Sequence, residues 1–125
     1  MTLQEALDIA DAMKPNMMDR QLKVKYLTEI EQLIWAEILM RHEHTPEQET
    51  KPEYDEETDP GTVLIVPDPY SMVYTYWLMS KIDIQNQEDA RYNIDRAHFE
   101  NEYDTMSDWW TRTFMPIQYT REFRL

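Results

Sequence analysis

Cysteine is absent from the 125 residues. That removes disulfide staples, thiolate metal sites and cysteine nucleophiles together, and it fits a reducing compartment. Glycine is almost absent, since Gly61 stands alone. Such a chain cannot build phosphate-cradling loops, and it has few ways to reach positive φ, so tight β-hairpins are scarce. Long apolar runs are missing as well. The longest, around Leu33–Met40 and Met72–Met79, are interrupted and too short to span a bilayer. No basic region precedes an apolar run near Met1, so no signal peptide is expected. Positive charge is scarce: 12 Lys and Arg face 25 Asp and Glu, for a net charge of -13. Phosphate binding needs clustered bases, so neither specific nucleic acid nor an anionic membrane is expected as a partner.

What is present suffices for one helical domain over residues 1–125, because the apolar content can fill a core. Thr2 and Glu5 stand at capping-box spacing, and Leu3, Ala6, Leu7 and Ala10 follow at helical spacing to Met13. A second helix is predicted from about Met17 to His42, with Leu27, Ile30, Ile34 and Ile38 as its apolar stripe. Residues 44–61 differ: seven acids, Pro46, Pro52 and one base, Lys51, read as a mobile acidic loop with nothing to bury. Thr62–Val66 is a short β-branched run, read as an extended segment.

Asp68–Pro69 reads as a helix start, with Asp as N-cap and Pro at the first position. This third helix runs to about Ile82. Tyr74, Trp77 and Leu78 belong to one apolar face, while Met72, Tyr76 and Met79 make much of the opposite one. A helix apolar on two sides is buried on two sides or meets a partner. A short link at Asp83–Gln85, with Asn86 as cap, makes the next helix an antiparallel neighbour. That helix spans about Gln87–Thr113, with Tyr92, Phe99, Tyr103, Met106 and Trp110 as its stripe. Adjacent Trp109 and Trp110 are about 100° apart on a helix, so Trp109 is expected at an interface. Beyond Pro116, Ile117, Tyr119, Phe123 and Leu125 alternate with polar residues, which is strand patterning. Such a tail needs a sheet partner, and Thr62–Val66 is the expected one, either within one protomer or on the next. The fold class is thus an all-α bundle of about four helices with a short extended segment and a strand-like tail.

The chain is poor in recognisable chemistry. His42 and His44 lie two apart, which on a helix is not one face, and no third ligand stands at a metal-site spacing. Asp95 and His98 approach one di-iron half-motif, but no second copy exists. Ser71, Ser80 and Ser107 all fall inside helices and in no elbow motif. The acidic loop lacks the ordered alternation and central glycine of a calcium loop. No enzyme, metal or cofactor is therefore expected.

Two stretches carry a resemblance: YLTEIEQLIWAEIL, from Tyr26 to Leu39, and PDPYSMVYTYWLMSKIDIQNQEDARYNIDRAHFENEYDTMSDWWTR, from Pro67 to Arg112. The order of features resembles small proteins encoded among the head genes of tailed bacteriophages and prophages, regarded as head–tail connector or head-completion adaptor proteins. It consists of a helix with an acid-dotted stripe, an acidic loop, an extended apolar step, Pro-Tyr opening an aromatic helix, and a helix with Tyr92-Asn93. The resemblance covers roughly two thirds of the chain and rests on packing residues, with no chemical motif. It implies a helical protomer that self-associates into a ring between portal and tail-side proteins, found in the virion and in the host cytoplasm during assembly. The alternative from charge alone is an acidic regulatory or inhibitory protein that binds a basic partner or mimics DNA.

Overall fold

A computed structural model describes residues 1–117; the expectations for Tyr119, Phe123 and Leu125 lie outside the described residues. Four helices pack together: α1 (Leu3–Met13), α2 (Arg20–Glu37), α3 (Met72–Gln85) and α4 (Asp89–Thr113), with 3-10 turns at Leu39–Arg41 and Pro46–Glu49. Among the described residues there is no strand, only two isolated bridges.

Local chemistry sets the starts and stops. At α1 the capping box forms: Glu5 N–H donates to Thr2 Oγ1, and Thr2 N–H donates back to Glu5 Oε1, each at 3.2 Å. Leu3, Ala6, Leu7 and Ala10 are buried. The second helix begins later than its periodicity predicts. Asn16 Oδ1 accepts the Met18 N–H at 3.0 Å and Asn16 Nδ2 reaches Asp11, so the connection is fixed by side chains and Met17 is left in solvent. The third helix also starts late, at Met72 rather than Pro69. Tyr70 N–H closes a turn on Pro67 O at 3.0 Å, and the Asp68 carboxylate accepts the Ser71 hydroxyl instead of capping a helix. The Asp68–Pro69 peptide is cis. The link to α4 is Asn86–Glu88, a few residues later than the sequence suggests. Gln87 takes φ 58°, the left-handed conformation that glycine would adopt without cost.

The α3–α4 pair is an antiparallel hairpin. Tyr70, just ahead of α3, stacks on Trp109 at 5.0 Å, whereas Tyr76 meets His98 and Trp77 meets Phe99. Contacts thus run down α4 as they climb α3. The third helix also packs on α1 and α2 and is buried around most of its circumference, at Val73, Tyr74, Thr75, Trp77, Leu78, Met79, Ser80 and Ile82.

Of the expected core, Leu27, Ile30, Ile34, Ile38, Tyr74, Trp77, Leu78, Phe99, Met106 and Trp110 are buried. Tyr92 and Tyr103 are only half-buried. Tyr103 packs on the core but keeps its hydroxyl at the surface, donating to Glu37 Oε2 at 2.9 Å, as suits an amphipathic ring. Tyr92 flanks a stripe whose buried member in that turn is Asp95.

The acidic segment lies against the body rather than free of it. Trp35 Nε1 donates to Gln48 O, Gln32 Nε2 to Pro52 O, and Thr28 Oγ1 to Tyr54 O, at 2.8, 2.8 and 3.3 Å. These donors lie on α2, so the segment runs along that helix as a strap. The expectation that nothing in it is buried fails at Tyr54, whose ring packs on the core.

Candidate functional site

Two enclosed polar clusters stand out, and both were missed by stripe-reading alone. The first centres on Glu31, fully buried on α2 between Ile30 and Ile34. Its Oε1 accepts Tyr74 Oη–H at 2.5 Å. Its Oε2 accepts Tyr54 Oη–H at 2.9 Å and the Ile65 backbone N–H at 3.0 Å. Tyr74 Oη in turn accepts the Val66 N–H at 2.9 Å. One carboxyl therefore ties α2 to α3, to the strap and to the apolar step. Burial pushes the Glu31 carboxyl above its ordinary range, against the pull of the three donors. Burial and the neighbouring Glu31 push both tyrosine hydroxyls upward as well.

The second cluster joins α1, α3 and α4. Lys14 Nζ, at the end of α1, donates to Asp83 Oδ1 and, at 2.9 Å, to Asp95 Oδ2. All three side chains are buried. Two carboxylates share one ammonium, and Asp83 Oδ2 has no hydrogen-bond partner among the described residues. Burial, reinforced by Asp95, pushes the Asp83 carboxyl up to about 6. Lys14 is held above its usual value by hydrogen bonds to Asp83 and then Asp95, which outweigh the opposing effect of burial. A cue for these residues existed in the sequence. Glu31 and Asp95 are single acids at apolar-stripe positions, which are tolerated only when paired or hydrogen-bonded.

Glu31 and Asp83 are fully enclosed, whereas Lys14 and Asp95 line a cleft of about 320 Å³ with Met13, Met79, Arg91 and Ile94. Both clusters tie elements of the bundle together. The histidines are separated: His42 is buried with Nδ1 at 2.7 Å from Ile38 O, while His44 Nε2 lies 3.3 Å from Glu49. Among the described residues no group of three metal-binding side chains converges.

The remaining features lie at the end of the described residues. Glu43 N–H donates to Met115 O at 2.8 Å and Ile117 N–H to Arg41 O at 2.9 Å, bracketing a bridge between His42 and Pro116. Ile117, the first residue of the expected tail strand, thus meets Arg41 rather than Thr62–Val66, and the rest of that expected pairing lies outside the described residues. That step is taken by the start of the chain, with Leu3 N–H on Thr62 O at 2.8 Å and Leu64 N–H on Met1 O at 3.0 Å. The capped start of α1 lies alongside it and offers its backbone groups there.

The chain matches no protein-family model, no curated protein and no solved structure.

The residues read as interface divide. Met79 is buried, because α3 is covered on that side too. Met72, Tyr76, Trp109 and Ile117 are half-buried. Tyr76 stacks on His98 at 5.0 Å, and Trp109 stacks on Tyr70 and meets Trp110 edge-on at 5.5 Å. These aromatics thus find partners inside the chain. The exposed apolar surface at the end of the described residues belongs instead to Phe114 and Met115.

Proposed function

We propose that this chain is a structural assembly protein, a subunit of a head–tail connector ring in a tailed phage, acting by gripping neighbours rather than by catalysis. It self-associates, meets portal and tail-side proteins, needs no cofactor, and resides in the virion after assembly in the host cytoplasm. The carrying observation is the extended segment that ends the described residues. An extended segment, Met115–Ile117, lies along Arg41–Glu43 beside exposed Phe114 and Met115, and the sequence beyond it alternates apolar and polar residues. Extended segments of this kind suit contacts between copies. The resemblance over Tyr26–Leu39 and Pro67–Arg112 supplies the phage context.

The test is reconstitution. Purified protein is added to DNA-filled heads that lack it, and tail joining is scored. Restored joining supports the reading; heads that neither bind the protein nor gain tails contradict it.

One observation favours the second reading, an acidic protein directed at a basic partner. The strap is tied to α2 at three points, and Asp55 and Asp59 accept backbone N–H groups in turns, so these carboxylates hold set positions. Fixed charges are what a mimic of nucleic acid needs. A protein that stays single-chain at all concentrations and is displaced from a basic partner by duplex DNA would favour it.

A further inference from the structure

The cleft of about 320 Å³ opens where the end of α1 meets the start of α4. Its volume falls within the roughly 300–1,000 Å³ of binding pockets. Met79 is a buried wall, while Met13 and Ile94 leave apolar surface exposed at its sides.

The charge at its base is unbalanced. Lys14 is one ammonium shared by Asp83 and Asp95, and Asp83 Oδ2 has no partner among the described residues. Asp95 is only 6% exposed, yet it lines the cleft. Its Oδ2 takes the Lys14 ammonium. Its Oδ1 receives no N–H or O–H of a described residue and, unlike Asp83 Oδ2, is not sealed off, so it faces the cleft. A mostly buried carboxylate is costly unless it is paired, so this oxygen calls for a cation. An ammonium placed on it brings two cations to two acids.

At the mouth stands a charge of the other sign. Arg91, one turn before Asp95 on α4, has a largely exposed side chain, and its Nε lies 3.9 Å from Glu88 Oε2, beyond hydrogen-bond distance. That guanidinium repels a bare amine, and Asp95 repels a bare acid. A ligand that carries both charges on one carbon satisfies each. Residues four apart on a helix have Cβ atoms about 5–6 Å apart, a span that such a ligand bridges with a hydrogen bond at each end.

We infer that this cleft binds an apolar α-amino acid. Its ammonium sits on Asp95 Oδ1, its carboxylate on the Arg91 guanidinium, and its side chain between Met13, Met79 and Ile94. The site goes beyond the assembly reading and does not rest on it.

The test is methyl NMR of the full-length protein, labelled at its methionines and titrated with L-leucine. The Met13 and Met79 methyls should shift and saturate, while those of Met17 and Met115, exposed outside the cleft, should stay put. 3-Methylbutylamine is leucine without its carboxylate, and 4-methylpentanoate is leucine without its ammonium. Each should bind about tenfold more weakly or not at all, the value of one charged hydrogen bond. Arg91→Gln alters an exposed side chain, so the fold should persist by circular dichroism. It should weaken leucine about tenfold without weakening the amine. Asp95→Asn should abolish the leucine shifts. Asp95 also holds Lys14, so if that variant unfolds, Arg91→Gln with the three ligands decides the matter. Leucine that shifts no methionine methyl, or shifts all the exposed ones alike, overturns the inference. So does leucine that binds Arg91→Gln as it binds the intact protein, or 4-methylpentanoate that binds as well as leucine. Any of these leaves the assembly reading untouched.

Discussion

Glu31 and Asp83 are both enclosed carboxyls, but their surroundings differ. Three O–H and N–H donors surround Glu31, whereas Asp83 shares Lys14 with a second acid and leaves one oxygen unmet. The pH response of Asp83 follows from its raised value. Between the ordinary 3.8 and about 6 the folded protein keeps a proton that the unfolded chain has lost, so stability from this group falls as pH rises across that window and is level above it. Asp83→Asn should therefore gain on the intact protein as pH rises from about 4 to 6, with no further gain beyond. Urea denaturation of both proteins at several pH values checks this, and a constant difference would contradict it. Lys14→Met removes the cation that two buried acids share and should cost about 3–5 kcal/mol near neutral pH. Tyr54→Phe deletes one donor to Glu31 and one of the strap's ties, and should cost about 1.5–3 kcal/mol by the same method. An unchanged midpoint would mean that the Tyr54 hydroxyl carries no stability.

The helices were legible because burial imposes a 3.6-residue period. The stripes of α2 and α4 and the two-sided face of α3 could be read from spacing alone. Their ends could not, where side chains compete for the backbone: Asn16 delays α2, and Asp68 turns to Ser71 rather than capping α3. The strap was missed because its acids are exposed as read, while its tethers are backbone carbonyls that meet α2 side chains. Backbone acceptors leave no trace in composition. Two outcomes follow for these elements. Phe99 is buried and packs between Trp77 and Tyr103, so Phe99→Ala should cost about 3–5 kcal/mol. Gln87 is exposed and sits at φ 58° in the α3–α4 link, where a side chain costs about 1–2 kcal/mol. Gln87→Gly should thus raise stability by about 0.5–1 kcal/mol once the added freedom of the unfolded chain is counted. A lower melting temperature for that variant would contradict it.

The described residues form a helical bundle whose apolar surface is mostly spent internally, with an extended segment, Met115–Ile117, paired along Arg41–Glu43. Net charge, the absence of cysteine, the single glycine and the all-helical class were visible in the sequence. The identity of the site was not, because contacts such as Ile117 on Arg41 join residues far apart in sequence through backbone atoms of any residue type. Assembly through the C-terminal segment is the claim on which the functional reading stands. Light scattering on the intact protein beside a chain ending at Ile117, with helix content followed by circular dichroism, addresses it. The intact chain should show a mass several times 15.2 kDa that rises with concentration to a plateau, and the shortened one should stay at one protomer with its helices unchanged. An intact protein that remains a single chain, or a shortened one that assembles equally well, would contradict it.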